Sequence, residues 1–118
     1  MTRRVVVLGA LDTKGAEFAY LRARLVRAGV EPFVVDFGVM GEPAFAPDVN
    51  PAEVAAAGGA DLAALRAAND RGAAMAAMGR GAAALLRQRY DAGQLDGVIG
   101  MGGGGGSSVI ATAMRALP

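Results

Sequence analysis

The 118-residue sequence has no cysteine, no histidine and no tryptophan, and it has a single lysine. Without cysteine there are no disulfides, no thiolate metal ligands and no thiol nucleophiles. Without histidine the usual general base and the commonest metal ligand are gone, which removes most hydrolase triads. A surplus of one charge is also missing. Twelve basic side chains against eleven acidic ones leave a net +1, so no global field draws the chain to nucleic acid or to an anionic membrane. Long apolar runs are absent too: Val5 to Leu11 stops at Asp12, too short for a signal-peptide core. Gly97 to Met114 approaches spanning length but holds seven glycines and two serines, whose backbone would stay unsatisfied in lipid. A cytoplasmic chain with no membrane segment and no nucleic-acid partner is expected, folded as one domain, since this length buries one core and not two.

What is present is an alternation of strand and helix signals. Val5-Val6-Val7-Leu8-Gly9 is β-branched and apolar on both faces, as a parallel strand between helices requires. Ala10 to Gly15 is turn material, and Phe18, Leu21, Leu25 and Val26 then recur at helical spacing up to Gly29. Pro32 to Phe37 is a second strand, so the opening forty residues form a βαβ unit. Met40 to Pro51 holds three prolines and is an irregular excursion. Asn50-Pro51-Ala52-Glu53 starts a short helix that Gly58-Gly59 ends. Asp61 caps a long alanine-rich helix expected to run to Tyr90, in which Gly72, Gly79 and Gly81 each cost about 1 kcal/mol against alanine. Close approach of another backbone is the reading adopted for them. Gly97 to Met101 is a third strand, and Val109, Ile110, Ala113, Met114 and Leu117 mark a last helix. The fold class is therefore α/β, a three-layer Rossmann-like open parallel sheet of three strands in order 2-1-3.

Two features carry chemistry. Gly102, Gly103, Gly104, Gly105 and Gly106 stand in a row between a buried strand and a helix, followed by Ser107 and Ser108. Glycine is the costliest residue to order, so such a run belongs where positive φ or close backbone approach is required, and phosphate cradles are built that way. The helix dipole beginning near Ser107 adds attraction for an anion, and either serine can donate a hydroxyl or act as the N-cap. The second feature is Asp12-Thr13-Lys14 at the end of the first strand. Eleven of the twelve cations are arginine, and Lys14 alone offers a compact point charge suited to a phosphate. Asp12 can cap the helix, orient Lys14 or hold a hydrated magnesium ion; capping is the default. In strand order 2-1-3 both loops flank one crevice at the carboxyl rim. Asp36 ends the second strand, where dinucleotide folds often place a ribose-binding acid, although a solvated or turn-forming aspartate is the commoner case at such a position.

These segments carry a family likeness. Gly9-Ala10-Leu11-Asp12-Thr13-Lys14, the passage with Gly41-Glu42-Pro43, Asp70-Arg71-Gly72 and the glycine run before Ala-Met-Arg-Ala-Leu-Pro resemble the N-terminal domain of the ATP-binding family typified by the tomato mosaic virus resistance protein. The resemblance covers essentially the whole chain. It implies a domain that binds ATP, with magnesium as its companion, and residues 1–118 as part of that domain, continued by more of it and by a second, barrel-like domain. The family loop has a Gly-Gly-Ser-Gly-Gly-Thr pattern, whereas Gly104 and Ser107 stand at its hydroxyl positions here, so one hydroxyl is lost. Two readings compete with ATP binding. Gly100 to Gly105 formally satisfies G-x-G-x-x-G, which would make a nicotinamide-binding enzyme domain. Alternatively, the Ala/Gly helix faces serve an assembly with a second copy. No metal ligands and no catalytic residues are assigned.

Overall fold

The computed structural model describes residues 2–118. It is an α/β structure with a three-stranded parallel sheet in the order β2-β1-β3, as expected. β1 is Arg3–Gly9, β2 Val30–Asp36 and β3 Gly97–Gly100. In register, Val6 sits beside both Phe33 and Val98, and Val7 beside Val34 and Ile99. Alternate residues therefore face opposite layers. Val7 and Val34 pack with Leu11 and Phe18 of α1 (Leu11–Arg27), while Val6, Leu8 and Val35 pack against the larger cluster on the other face. That cluster holds Val54 of α2 (Pro51–Ala57), Met78 and Leu86 of α4 (Arg71–Asp91), and Val109 of α5 (Gly104–Met114). A short α3 (Leu62–Ala68) precedes α4. Among the described residues no helix is long and apolar enough to cross a membrane.

Several local signals operate as the chemistry requires. Asn50 and Glu53 form a reciprocal capping box with Pro51 in the first turn. Asp61 accepts from the Ala64 amide. Gly29 follows α1 with φ +80, the left-handed residue that closes a helix. The excursion after β2 is tied back to the sheet: Val49 bridges Val35 in parallel, and the Asp48 carboxylate accepts from the Val34 amide at 2.7 Å. The outer side of β2 is thereby partly covered.

Two expectations need correction. The single helix from Asp61 to Tyr90 is two helices, broken where Asn69 adopts a left-handed conformation (φ 49) and Asp70 begins α4 by accepting from the Ala73 amide. The last helix starts earlier than expected, at Gly104, with Gly103 as N-cap. Three of the five glycines thus belong to the first turn of a helix rather than to the loop before one.

The glycines of α4 divide. A Cβ at Gly81 would overlap the Val54 carbonyl of α2, one at Gly58 would overlap the Ala77 carbonyl of α4, and one at Gly79 would press on Thr112 of α5 at 3.3 Å. Gly72 has only Asp70 Oδ1 nearby, at 3.6 Å. Close packing explains Gly79 and Gly81 and leaves Gly72 without a packing role. Gly81→Ala is expected to lower stability by about 1–3 kcal/mol through overpacking, whereas Gly72→Ala should be neutral or slightly stabilising. Urea unfolding of the two variants side by side checks the contrast.

Candidate functional site

The strand order reverses between β1 and β3. Chains of this topology leave a crevice there, outside the carboxyl ends of the strands. A cavity of about 670 Å³ occupies that position, large enough for a nucleotide-sized ligand. Asp12, Thr13 and Lys14 enter it from the end of β1, and Gly102, Gly103, Gly105 and Gly106 from the end of β3. The two sequence features thus meet in one place. Phe37 and Val39, both buried, give the cavity an apolar wall together with Leu65, Ala74, Met75 and Met101. Arg66 and Arg71 complete it from α3 and α4.

The glycine run is shaped by close approach and not by positive φ. Positive φ is found at Gly29, Gly59 and Gly93, and not at Gly102, Gly103, Gly105 or Gly106. A Cβ at Gly102 would come within 2.7 Å of the Gly106 carbonyl carbon and 2.8 Å of the Ser107 amide nitrogen. At Gly103 it would meet nothing within 4 Å. No side chain caps α5, so the amides of its first turn have no acceptor within the helix. Ser107 and Ser108 are exposed and lie outside the cavity lining. The Ser107 hydroxyl donates to the Gly102 carbonyl at 3.1 Å, which fixes the loop. Gly104 belongs to the helix turn, and its own surroundings fall outside the described side-chain contacts.

At the other loop, Lys14 sits at a kink within α1 (φ −127, ψ 33). The Thr13 hydroxyl donates to the Ala10 carbonyl at 3.4 Å. Asp12 does not cap α1, whose N-cap is Ala10 without any side-chain hydrogen bond. Instead Asp12 Oδ2 accepts from the amides of Met40 and Gly41, each at 3.0 Å, and latches the excursion after β2 onto the rim. Asp36 is not in the cavity lining. It is 1% exposed, and its Oδ1 accepts from the amides of Leu11 at 3.1 Å and Gly38 at 2.9 Å. The ribose-binding role expected for it has no access to a ligand. Both carboxylates crowd Gly38, where a Cβ would lie 2.5 Å from Asp12 Oδ1 and 3.1 Å from Asp36 Oδ1. Asp12 Oδ1 is buried with no hydrogen-bond partner.

Arg66, Arg71, Met75 and Phe37 are among the lining residues not singled out from the sequence as site residues. The Asn69-Asp70 pair was the available signal: a turn residue followed by a strong N-cap starts a new helix, and that helix begins at the cavity.

The match to known proteins bears on identity at this point. The N-terminal domain model of the uncharacterised protein family UPF0261 matches residues 3–118. The chain belongs to the UPF0261 family. It is 39% identical over 117 residues to the UPF0261 protein of Clostridium tetani, covering 99% of this chain and 29% of that protein. It is 44% identical over 116 residues to that of Rhizobium meliloti, covering 98% and 28%. The Mesorhizobium japonicum protein is 39% identical over 118 residues, again with 28% covered. The chain therefore spans under a third of the length of these relatives. This membership corrects the resemblance to the tomato mosaic virus resistance family, because neither the family description nor the relatives' names carry any link to it. Any nucleotide reading of the UPF0261 domain has to rest on the cavity alone.

Burial raises the Asp36 pKa above its ordinary value, and the nearby Asp12 charge adds to this, while the Gly38 and Leu11 amides oppose it. The folded state then holds this proton more tightly than the unfolded chain. The stability linked to it is full below the ordinary aspartate range and falls as pH rises through the raised folded value. Asp36→Asn keeps an Oδ1 acceptor without the charge. It should match or exceed the wild-type stability at neutral pH and lose less between acid and neutral pH. Asp36→Ala strands two amides and should cost about 1–3 kcal/mol for each. Urea midpoints at pH 5 and pH 8 separate these outcomes.

Proposed function

We propose that the UPF0261 domain binds ATP in this cavity, the phosphates held by Lys14 and by the free amides of the first turn of α5. The observation that carries the reading is the convergence of the lone lysine and the uncapped glycine helix end on one crevice of nucleotide size. The apolar wall of Phe37, Val39, Leu65 and Met75 offers a surface for the base. Among the described residues no group of three or more carboxylates, histidines or cysteines is arranged to hold a metal. Magnesium fits as a hydrated partner of the phosphates, the form it usually takes at such sites. The domain would work as part of a longer cytoplasmic protein, and assembly with a second copy is compatible with this role.

A nicotinamide dinucleotide is the second reading, and the position of Asp36 counts against it. That acid is sealed behind the rim and already accepts two amides, so it offers nothing to a ribose. Lys14→Ala is expected to weaken ATP binding by roughly ten- to a hundred-fold, the usual range for losing a charge-assisted hydrogen bond. Gly103→Leu points into open space, so it should leave folding intact while filling the cavity and abolishing binding. Calorimetric titration with magnesium and ATP, repeated with NADH, measures both. Unchanged ATP affinity in the two variants, or tighter binding of NADH than of ATP, removes the assignment.

A further inference from the structure

The first turn of α4 brings an exposed arginine to the lining of the cavity. Arg71 is the first residue of α4 after the Asp70 cap. Its guanidinium lies against the glycine turn of α5: a Cβ at Gly105 would be 3.2 Å from Nη2 and 3.6 Å from Nε. It joins neither ion pair found among the described residues, which are Arg4–Glu31 and Arg87–Asp91. The arginine side chains that donate hydrogen bonds are Arg66, Arg80, Arg87, Arg89 and Arg115. Asp70, the nearest acid in sequence, is committed to the Ala73 amide.

The position is electrostatically adverse. A helix amino terminus carries a partial positive charge and disfavours cations, yet Arg71 stands in the first turn of α4 and against the first turn of α5. Lys14, Arg66, Asp12 and Asp70 line the same cavity; Arg66 donates to the Val39 carbonyl at 2.6 Å, Asp12 accepts from the amides of Met40 and Gly41, and Asp70 caps α4. Lys14 and Arg71 join no ion pair among the described residues and line this cavity beside the amino ends of α4 and α5, where a multiply charged anion would complement them.

We propose that Arg71 is a binding residue for that anion, and that the site selects ligands carrying two or more linked phosphate groups over monophosphates. The planar guanidinium fork takes phosphate oxygens at the glycine turn, while Lys14 serves as a point charge at the β1 loop. Gly105 is glycine so that the fork can lie on the helix end. The inference rests on the nucleotide reading only for the anionic end of the ligand.

The test titrates the protein with ATP, AMP and inorganic pyrophosphate, each with magnesium, in the wild type, Arg71→Gln and Gly105→Ala, with urea unfolding alongside. Arg71→Gln is expected to weaken ATP and pyrophosphate by roughly ten-fold or more and AMP by only a few-fold. Its unfolding midpoint should stay equal or rise, since a cation leaves two positive helix ends. Gly105→Ala should weaken the same two ligands. If the wild type binds ATP and Arg71→Gln leaves it unchanged, the role of Arg71 is overturned and the nucleotide reading stands. Pyrophosphate binding that depends on Arg71, with no added affinity for ATP, upholds the anion site and removes the nucleoside. A lower unfolding midpoint for Arg71→Gln with an equal loss for AMP makes the residue structural and overturns the proposal. Failure of the wild type to bind any of the three overturns both.

Discussion

One buried carboxylate oxygen ties together the segments that make the rim of the sheet. Asp36 Oδ1 accepts from the amide of Leu11, the first residue of α1, and from Gly38, two residues past its own strand. The Phe37 amide adds a bond to the Gly9 carbonyl at 3.0 Å, so the β1–β2 pairing continues one step beyond the strands. The exit of β1 and the exit of β2 are thereby fixed to each other, and Asp12 then fixes the following excursion to both through Met40 and Gly41. Phe37 and Val39 become one wall of the cavity because of this bracing, and Lys14 becomes part of another. The placement of Asp36 holds a cost, since a carboxyl taken out of water is stable only where donors face it. Gly38 is what lets the two acids come so near, because any Cβ there would press on both.

Behind the rim, the position of the second loop depends on how closely three helices approach. Gly81 and Gly58 let α2 and α4 meet backbone to backbone, and Gly79 admits Thr112 of α5. Narrow spacing of this kind sets where the first turns of α4 and α5 end up, and both open onto the crevice. The alanine bias that looks featureless along the chain is the same device: small side chains at Ala74, Ala77 and Ala82 are buried between layers. Packing in the helical layer thus fixes the geometry of the polar edge.

Local signals were legible in the sequence wherever a short-range rule decided the outcome. Val5 to Leu8 could only be a doubly covered strand, and Asn50 with Glu53 could only open a helix in that context. With the strand order 2-1-3, the loops after β1 and β3 share one rim. What escaped notice depended on competition between similar states. Across Asn69 and Asp70 the alanine-rich surroundings favour helix so uniformly that the break shows only as a two-residue turn-and-cap signal. The glycine run was taken for a loop ahead of Ser107, yet it forms the first helical turn from Gly104. Propensity argues against that start, but a side chain at Gly102 would meet the backbone of Gly106 and Ser107, and one at Gly105 would meet Arg71, so the turn as built has little room for larger residues at these two positions. At Asp36 the turn-forming reading fits and the solvated one does not, since the carboxylate is buried and accepts from the Gly38 amide two residues on.

The charge pattern at the cavity argues for a ligand independently of any resemblance. A fold has no reason to collect cations where helix amino termini already raise the potential, since each such placement works against stability in the absence of a counter-charge. Some arginines elsewhere in the chain find partners: Arg87 pairs with Asp91, and Arg89 lies 3.6 Å over the Phe33 ring. Lys14 and Arg71 have no such partner among the described ion pairs. The acids that could neutralise them are turned to backbone amides instead. Of the charged side chains that line the cavity, Asp12, Asp70 and Arg66 are bonded to backbone groups, which leaves Lys14 and Arg71. On the proposed reading the phosphates of the nucleotide would complement Lys14 and Arg71, and the apolar wall of the crevice would face its base.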